Sequence, residues 1–437
     1  MEQNGYWEPM IEIAERPVLL QLQLQRLRQA VGQAARSPFY GESFRKLGIS
    51  ASSIRTLDDV RRLPFTAKED LRGHFPYGLL SIPKEECVRL HCSSGTTGNP
   101  TVIFHNRHDL ESWANLVARS MFAAGARPGD VFQNICGYGL FTGGLGFQYG
   151  AEYLGCLTIP AGAGNTKRQI KLIEDYGTSV IHAIPSYLPR LFDGFVEAGI
   201  KVGDTKLRVI CTGAEPHSEE TRQRLQALFG IGVFNSYGLS EMNGPGVAFE
   251  CVHQAGMHLW EDCFLMEVIN PKTLEPVPDG EVGELVLTTL DRQAMPILRY
   301  RTRDLTRIIP GPCACGRTCR RIDRISGRSD DMFIIRGCNV FPMQIEKILM
   351  RFPEVAGDYL IELVSRDDND DIVIKVEINP TLLSLDNYGA LEKLISHITH
   401  EIRNEILVTP IVHLVEHESL PRSEGKAQRV IDRRKLV

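Results

Sequence analysis

The sequence predicts an α/β fold, with a large N-terminal domain of helix-covered sheets plus a β-rich subdomain, and a small α+β C-terminal domain. In the middle of the chain, β-rich runs such as CVRLHC, DVFQNIC and KLRVICTG alternate with helical ones, an order typical of parallel sheets covered by helices. From about Gly280 the runs are short strands with little helix. Past Asp330 a compact mixture of strands and helices follows, so a second, smaller domain is expected there.

The helices of the first domain can be placed in order. Residues 17–35, PVLLQLQLQRLRQAVGQAA, repeat apolar side chains among good helix formers until SPFY ends the run, which predicts a helix with one buried face. Further helices are expected in HDLESWANLVARSMFAAG, LPRLFDGFVEAG and EETRQRLQALFG. Strands are expected in TSVIHAIP and GVFNSYG.

The later elements are mostly strands. The expected β-rich subdomain consists of GELVLTTL, PILRYRTRDLTRII and RRIDRISGR. In the C-terminal domain the expected strands are DMFIIRG, GDYLIELVS, DIVIKVEIN and PIVHLVE, with helices around MQIEKILMRF and YGALEKLISHITHEIRNEIL. The polar, glycine-containing segment SGRSDD predicts a boundary that separates residues 1–329 from residues 330–437.

Composition and charge exclude several classes of protein. The chain has 437 residues, 43% of them hydrophobic and 24% charged, and a formal net charge of −5, which predicts a globular protein without a general attraction to nucleic acid. Its apolar runs are shorter than the roughly 20 residues that span a bilayer, and polar residues follow Met1 where a secretion signal would be apolar. We therefore expect no membrane partner. Because its eleven cysteines are scattered rather than dense, we expect a cytoplasmic protein.

A serine- and threonine-rich run, CSSGTTGNPT, directly follows a predicted strand. Small side chains leave backbone N–H groups and hydroxyls free to surround phosphate oxygens. No lysine follows the second glycine, so the run is not a Walker loop. Taken alone, it fits a phosphate-binding loop and a polar surface turn about equally well. Its candidate phosphate-binding residues are Ser93, Ser94, Gly95, Thr96, Thr97 and Gly98.

Five motifs occur in a fixed order. SSGTTGNPT is followed by YGLSEMNGPG (237–246), YRTRD (300–304), GRSDDMFIIRGCNVFP (327–342) and PRSEGKAQRV (421–430). In this order and spacing they resemble the adenylate-forming acyl-CoA synthetase superfamily, and GYGLFTGGLGFQYGAE (137–152) with PSY (185–187) looks like the phenylacetate-CoA ligase family. The resemblance implies an ATP-dependent ligation of an aryl carboxylic acid to coenzyme A through an acyl-adenylate, with release of AMP and pyrophosphate.

The resemblance also implies roles for individual residues. Lys426 would bridge the substrate carboxylate and the α-phosphate, as a compact cation can. Asp304 would accept hydrogen bonds from the ribose hydroxyls, Glu241 would bind Mg²⁺ through hard oxygen atoms, and Tyr237 would flank the adenine. The remaining residues expected to bind ATP or AMP are Gly213, Ala214, Glu215, Asn235, Ser236, Gly238 and Arg328.

Two half-reactions at one carbonyl imply a domain movement. The resemblance places a hinge at Asp330, about which a mobile C-terminal domain would withdraw Lys426 and bring Arg336 and Gly337 toward coenzyme A. For the acid, aromatic residues beside glycines would let a flat ring lie close to backbone. A buried, glycine-rich strand end is the alternative for that segment. The expected acid pocket consists of Tyr138, Phe141, Gly143 and Pro245.

A cysteine cluster, GPCACGRTC, takes no part in the chemistry that the resemblance implies. Cys313 and Cys315 form a C-x-C pair, whose sulfurs lie on one side of an extended segment. If residues 253–256 form a four-residue hairpin turn, Cys251 faces His258 across the strands. We therefore expect these four residues to bind a structural Zn²⁺, with Cys263 and Cys319 in reserve and free or buried thiols as the alternative.

Two other functions remain open at this point. A ligase of the same fold could transfer its acyl group to an acceptor other than coenzyme A, since motifs do not define the acceptor. A catalytically silent nucleotide-binding protein is the other alternative, and the presence of Lys426, Glu241 and Asp304 argues against it. The leucine-rich helix near residues 19–31, together with the resemblance, favours a homodimer.

Overall fold

The computed structural model describes residues 5–93, 99–336, 338–366, 369–382, 388–421 and 428–434. Its contacts divide the chain into two compact units. Unit 1 comprises Met1–Ala183, Lys201–Ala214 and Ile231–Arg324, and unit 2 comprises Ile184–Ile200, Glu215–Gly230 and Ile325–Val437. The expected boundary at residues 329 and 330 is five residues from the last of these divisions. The sequence pattern gave no sign that two segments from the middle of the chain pack with the C-terminal part.

The α-helices of the described chain mostly begin after a residue in extended conformation, and several have proline in the first turn, where its missing N–H costs nothing. They are α1 (Pro9–Glu12), α2 (Arg16–Ala34), α3 (Pro38–Leu47), α4 (Lys68–Gly73), α5 (Arg107–Ala123), α6 (Thr142–Leu154), α7 (Thr166–Tyr176), α8 (Leu188–Glu197), α9 (Glu219–Phe229), α10 (Pro342–Leu349) and α11 (Tyr388–Ile406).

The strands are short in the first half of the chain and longest near its end. They are β1 (Arg89–Ser93), β2 (Thr101–His105), β3 (Val131–Asn134), β4 (Leu157–Ile159), β5 (Val180–Ala183), β6 (Val209–Thr212), β7 (Gly232–Leu239), β8 (Gly244–Glu250), β9 (Met257–Leu259), β10 (Phe264–Ile269), β11 (Gly283–Thr289), β12 (Tyr300–Thr306), β13 (Ile308–Ile309), β14 (Arg321–Ile322), β15 (Gly327–Arg328), β16 (Phe333–Ile335), β17 (Cys338–Val340), β18 (Val355–Arg366), β19 (Asn369–Ile378), β20 (Ile411–Val415) and β21 (Val430–Asp432).

Unit 1 is built on one large mixed sheet with the strand order β13-β14-β9-β8-β7-β6-β5-β3-β4. From β7 to β4 the neighbouring strands are parallel, and from β7 to β13 they are antiparallel. Every residue of β5 and β6 is buried, as expected of strands covered on both faces. In the β-rich part, β10, β11 and β12 pair antiparallel. The alternation predicted from the sequence is thus confirmed.

Unit 2 contains a second sheet with the order β20-β19-β18-β21. Its central pair is antiparallel and both outer pairs are parallel. Helix α11 buries Leu391, Leu394, Ile398, Ile402 and Ile406, which share one face because they recur at intervals of three or four residues. These side chains belong to one core with α10 and the two long strands. The mixed strand and helix composition expected beyond Asp330 is confirmed.

Helix α2 confirms the helix expected at residues 17–35. Its face toward the protein includes Leu19, Leu27 and Val31, which are all buried in this single chain. On the other side Val18 and Leu20 are exposed. Most of the leucine-rich face is therefore used in packing within the chain. Among the described residues, no helix is both long and apolar enough to cross a bilayer.

A buried ion pair fixes helix α5 in unit 1. The Arg119 side chain, only 2% exposed, donates to both carboxylate oxygens of Asp262, at 2.7 and 3.1 Å, and to Glu8 at 2.8 Å. Burial by itself would lower the pKa of Arg119, and the two carboxylates outweigh it and raise that pKa. The charge is thereby kept in the interior, where an unpaired ion would be costly.

We expect Arg119→Met to destabilise the fold by about 3–5 kcal/mol, because it leaves the Asp262 carboxylate buried without this partner. Urea unfolding followed by circular dichroism measures the loss. Lys171→Met is the matched control, since Lys171 forms an exposed i,i+4 pair with Asp175 on α7 and should change stability by less than about 0.5 kcal/mol. Equal midpoints for the two variants would contradict the prediction.

Candidate functional site

A buried hydrogen bond joins two residues expected to bind the nucleotide. Tyr237 lies near the end of β7, and its hydroxyl donates to Asp304 Oδ2 on β12 at 2.6 Å. Their exposed fractions are 8% and 9%. The parallel sheet and the β-rich part of unit 1 meet here, so the carboxylate that was expected to accept from ribose is held in place by the tyrosine.

The turn after β7 carries Glu241, expected to bind Mg²⁺. Its carboxylate is buried and accepts a hydrogen bond from the Tyr300 hydroxyl at 3.1 Å, and its backbone carbonyl accepts from Arg292 Nη1 at 2.6 Å. Ser240, in the same turn, lies 3.2 Å from the Thr142 hydroxyl. Three separate segments of unit 1 therefore fix this turn, and a buried carboxylate oxygen is a ligand that Mg²⁺ accepts.

Residues at the ends of β6 and β7 form the rest of the predicted nucleotide site in unit 1. Gly213 and Ala214 follow β6 directly, and Ala214 adopts a positive φ of 68°. Ser236 donates from its hydroxyl to the Thr212 carbonyl at 3.0 Å, and the backbone N–H of Asn235 donates to the Glu250 carboxylate at 2.8 Å. At Gly238 an added Cβ would lie 1.9 Å from the Gly244 carbonyl oxygen, so only glycine fits there.

The predicted phosphate loop is described only at its ends. Ser93 is the last residue of β1 and pairs with Thr101, the first residue of β2, so the two strands form an antiparallel hairpin. Ser94, Gly95, Thr96, Thr97 and Gly98 lie outside the described residues. The pairing of Ser93 with Thr101 keeps the entry and exit of this loop adjacent.

The predicted acid pocket lies in the segment between β3 and α6. Tyr138 is half-buried, its hydroxyl accepts from Asn134 Nδ2 at 3.1 Å, and burial raises its pKa. Phe141 is 55% exposed, and among the described residues nothing lies within 4 Å of the Cβ position of Gly143. Pro245 follows on β8 and accepts from the Trp113 indole at 2.9 Å. The segment therefore offers one anchored and one exposed aromatic ring beside open space.

A buried histidine, His182, contacts Asn134, the residue that anchors Tyr138. His182 lies 3.1 Å from the Asn134 side-chain oxygen through Nδ1, and its ring stacks on Phe147 with centroids 3.6 Å apart. Burial lowers the pKa of His182 to about 3, so the ring is neutral at physiological pH. The wall behind Tyr138 thus carries no positive charge from this residue.

In unit 2 the predicted residues form separate local contacts. Glu215 accepts from the Ser186 amide and hydroxyl, at 3.2 and 3.0 Å. Arg328 forms a bidentate pair with Asp330, with both contacts at 2.9 Å. Arg336 donates to the Asp370 carbonyl at 3.3 Å and pairs with Asp371. Lys426 and Gly337 lie outside the described residues.

The four predicted zinc ligands lie together in unit 1. Within the described residues, one ligand atom from each of Cys251, His258, Cys313 and Cys315 lies within 4.8 Å of the other three. Cys251 Sγ is 3.8 Å from Cys313 Sγ, and Cys315 Sγ is 3.3 Å from His258 Nε2. Cys319 Sγ lies 3.4 Å from the other ring nitrogen, Nδ1.

The hairpin that brings Cys251 to His258 differs from the predicted one. In the structure Phe249 pairs with His258 and Glu250 with Met257, so the register is displaced by two residues from the expected pairing of Cys251 with His258. The connection is a six-residue turn, 251–256, because Gln254 and Gly256 take positive φ values of 51° and 94°. Cys251 is then a diagonal neighbour of His258, still within reach.

Several residues near the site were not predicted. Tyr300, Arg292, Asn134 and Ser186 each contact a predicted residue through a side chain. Ser186 lies in the PSY motif and Tyr300 begins YRTRD, so the motifs contained a signal for both. Arg292 and Asn134 lie outside the five ordered motifs, and only the three-dimensional structure reveals their contacts.

Comparison with known proteins covers nearly the whole chain. The family described as AMP-binding enzyme matches residues 52–290, and the AMP-binding enzyme C-terminal domain matches residues 337–434. The phenylacetate-coenzyme A ligase of Pseudomonas putida is 45% identical over 98% of this chain and 97% of its own. That of Escherichia coli strain K12 is 43% identical over 98% of each chain.

Solved structures agree with these relatives. A 2-hydroxyisobutyryl-CoA ligase with solved crystal structures is 29% identical in sequence to this chain. The one in the postadenylation state, in complex with R3-HIB-AMP, has a TM-score of 0.92 and covers 99% of this chain and 93% of that one. The one in the thioesterification state, with 2-HIB-AMP and CoA, has a TM-score of 0.73 and covers 100% and 94%. The predicted fold, with an adenylate-forming N-terminal domain and a small C-terminal domain, is confirmed.

Proposed function

The chain belongs to the phenylacetate-CoA ligase family of AMP-binding enzymes and is an ATP-dependent acid–CoA ligase, and from this premise we propose that its substrate is phenylacetate or a closely related aryl acid. The observation that carries the site assignment is the arrangement in unit 1, where Tyr237 holds Asp304 and the Glu241 turn lies beside them. This is where an acid, a ribose and phosphates would meet.

The reaction has two steps. A carboxylate oxygen of the acid attacks the α-phosphorus of ATP, the bond to the β-phosphate oxygen breaks, and pyrophosphate leaves. The CoA sulfur, after losing its proton, then attacks the acyl carbon, and AMP leaves with the bonding electrons. Because acid and triphosphate are both anions, the site must chiefly orient them and supply positive charge.

We assign roles to the chain's own residues in these steps. Asp304 accepts from the ribose hydroxyls while Tyr237 fixes its orientation, and Lys426 neutralises charge between the carboxylate and the α-phosphate. Glu241 would hold Mg²⁺ close to the phosphates, since its buried carboxylate is a hard oxygen ligand. When bound, that ion neutralises phosphate charge as the leaving group departs.

The proposed acid pocket favours an uncharged ring. Tyr138 is anchored by Asn134, and the Phe141 side chain is exposed. His182, behind them, is neutral, so it offers no ionic contact to a second carboxylate. A flat aryl acid suits two aromatic side chains and open glycine backbone better than a flexible acyl chain does.

We expect acid-dependent pyrophosphate release to be fastest with phenylacetate in a panel that also contains benzoate and short fatty acids. The physical reason is the aromatic, uncharged pocket, and one lost ring contact lowers kcat/KM by roughly 10- to 100-fold. A coupled assay with and without CoA measures it. Preference for fatty acids would contradict the aryl assignment, and full turnover without CoA would favour a different acceptor.

We further propose that residues 330–437 are a mobile domain that turns about Asp330 between the two steps. A crystallised relative, 2-hydroxyisobutyryl-CoA ligase, has a postadenylation and a thioesterification state, which supports two arrangements for one site. Arg336 and Gly337 would then approach coenzyme A, and Lys426 would withdraw. The Arg328–Asp330 ion pair lies at the proposed turning point.

We propose that Cys251, His258, Cys313 and Cys315 bind one structural Zn²⁺. Two sulfurs bound to one tetrahedral zinc lie about 3.8 Å apart, and Cys251 Sγ and Cys313 Sγ are separated by 3.8 Å. Hydrogen bonding with Cys251, then with His258, lowers the pKa of Cys315, which favours a thiolate at this sulfur. Cys319, on His258 Nδ1, would orient the ring and leave Nε2 for the metal.

Two broader proposals follow from the same chain. The described residues include all eleven cysteines, and none of them forms a disulfide, which supports a reducing compartment such as the cytoplasm. We keep the homodimer as a proposal, supported by the exposed Val18 and Leu20 on α2. Sedimentation of the purified protein distinguishes a dimer from a monomer.

A further inference from the structure

A buried cation that forms no ion pair within the described part of the chain lies beside the proposed phosphate site. Arg292 is 4% exposed, and its Nη1 donates to the Glu241 carbonyl at 2.6 Å. Its Nε and Nη2 have no hydrogen-bond partner among the described residues. Burial lowers the pKa of Arg292 to about 10, so the side chain remains charged at neutral pH. An unpaired charge in the interior costs several kcal/mol, and such a cost points to a ligand.

The surrounding acids compensate this charge only in part. Burial lowers the pKa of Arg292 by more than Asp109 and Glu241 together raise it. The Asp109 carboxylate already accepts from the backbone amides of Gln293 and Ala294, at 2.8 and 3.0 Å. His91 and His105, on the inner face of the β1–β2 hairpin, are kept neutral because burial and the nearby Arg292 lower their pKa values.

The hairpin face itself is polar, and several of its buried side-chain atoms have no hydrogen-bond partner among the described residues. His91 and Arg89 on β1 share a side of the hairpin with Ser93, Thr101 and His105, according to the strand register. Buried polar atoms without a partner among the described residues occur in all five: Arg89 Nη1, His91 Nε2, Ser93 Oγ, Thr101 Oγ1 and both ring nitrogens of His105. So many unsatisfied groups in one place are rare in a native interior. A polar, hydrated ligand would satisfy them.

We propose that Arg292 binds the two terminal phosphates of ATP and the pyrophosphate that they become. This rests on the proposed function of the same site. Arg292 is fixed to Glu241, the residue proposed to hold Mg²⁺, and it is close enough to His91 and His105 of the β1–β2 hairpin to lower their pKa values. Glu241 would hold Mg²⁺ near the phosphates, where the ion would neutralise their charge, so Arg292 Nε and Nη2, beside Glu241, would meet phosphates rather than the ribose. Arg292 also positions the Glu241 backbone.

The test compares pyrophosphate with AMP, because AMP lacks the two phosphates in question. Calorimetry with inorganic pyrophosphate and Mg²⁺ on the full chain should show that Arg292→Gln weakens pyrophosphate binding about 10- to 100-fold and leaves AMP binding within about twofold. Thiolysis of a supplied phenylacetyl-adenylate by CoA should stay within about twofold. Arg292→Lys, which keeps the charge, should recover most of the pyrophosphate affinity.

Stability separates this role from a structural one. Because ligand-free Arg292 is a buried charge that forms no ion pair among the described residues, Arg292→Gln should unfold at the same or a higher urea concentration than the wild type. Arg222→Gln is the matched control, since Arg222 is also buried but paired with Glu219 and Gln226; the pyrophosphate affinity of this variant should not change.

Equal losses of AMP and pyrophosphate binding in Arg292→Gln, or unchanged pyrophosphate binding, would overturn the proposal. Absence of acid-dependent pyrophosphate release by the wild type would refute the proposed function, while pyrophosphate calorimetry still tests Arg292.

Discussion

Lys426→Ala is expected to reduce acid-dependent ATP–pyrophosphate exchange by at least 10²- to 10³-fold, while thiolysis of a supplied phenylacetyl-adenylate by CoA falls less than about fivefold. Loss of a charge-stabilising group that acts on the transition state has a cost of this size. The lysine is proposed to act only in the first step, where the substrate carboxylate and ATP repel each other. In thiolysis the acyl-adenylate is already formed, so this repulsion no longer has to be overcome. Stopped assays of the two half-reactions measure the split directly.

A control and a conservative variant make the result specific. Lys393 is an exposed lysine on α11 of the same C-terminal region, and Lys393→Ala should leave both half-reactions within about twofold of the wild type. Lys426→Arg keeps the charge but changes its shape, so it should retain part of the adenylation rate. If Lys426→Ala lowers both half-reactions equally, one lysine position serves both steps, and the two-orientation proposal is wrong.

Most elements of the fold could be predicted because their patterns are local. Helix α2 and strands β5 and β6 follow from apolar periodicity and from continuous buried runs. Helix α6 could not be predicted, since its four glycines lower helix propensity. Tertiary packing explains three of them, Gly144, Gly146 and Gly150: a Cβ at Gly150, for example, would lie 2.4 Å from Val117, so glycine allows α6 to approach α5 closely.

The candidate site likewise combines residues that motifs pointed to with contacts that only the structure reveals. Motifs identified Tyr237, Asp304 and Glu241, but not the hydrogen bond from Tyr237 to Asp304, which joins residues far apart in sequence. Arg292 carries no motif signal, because its proposed role rests on a three-dimensional observation: its Nε and Nη2 have no hydrogen-bond partner among the described residues. The cysteine cluster is intermediate: residue chemistry suggested the four ligands, whereas the register of the hairpin depended on backbone conformations at Gln254 and Gly256 that the sequence does not determine.

The proposed zinc would explain how a long connection is held against the sheet. Strands β13 and β14 pair with each other, and β14 pairs with β9. Residues 310–320, which connect β13 to β14, contain no strand or helix among the described elements. Arg321 holds part of this loop by donating to the Gly311 carbonyl at 3.0 Å and to the Ala255 carbonyl at 2.6 Å. A metal shared by Cys251, His258, Cys313 and Cys315 would cross-link the loop to β9 directly.

We therefore expect Cys313→Ser combined with Cys315→Ser to lose bound zinc and to unfold at a lower temperature. A ligand present at a thousandfold excess over its dissociation constant stabilises the folded state by about 4 kcal/mol, and in a domain of this size that corresponds to roughly 10 °C. Metal analysis of the purified protein and thermal unfolding measure the two effects. Adenylation at 25 °C should persist, because no thiol takes part in the proposed chemistry.

Cys263→Ser is the matched control for this variant. Cys263 is equally buried, but it contacts Arg26 and Asp262 and lies outside the four-residue cluster, so zinc should be retained. Cys319→Ser should also keep its zinc, with an affinity about 10- to 100-fold lower, because only the partner of His258 Nδ1 changes. Full zinc content in the double variant, or none in the wild type, would refute the metal site. In the second case the buried thiols and His258 would stabilise the loop by direct hydrogen bonds alone, and the double variant would shift the unfolding temperature without any dependence on added chelator.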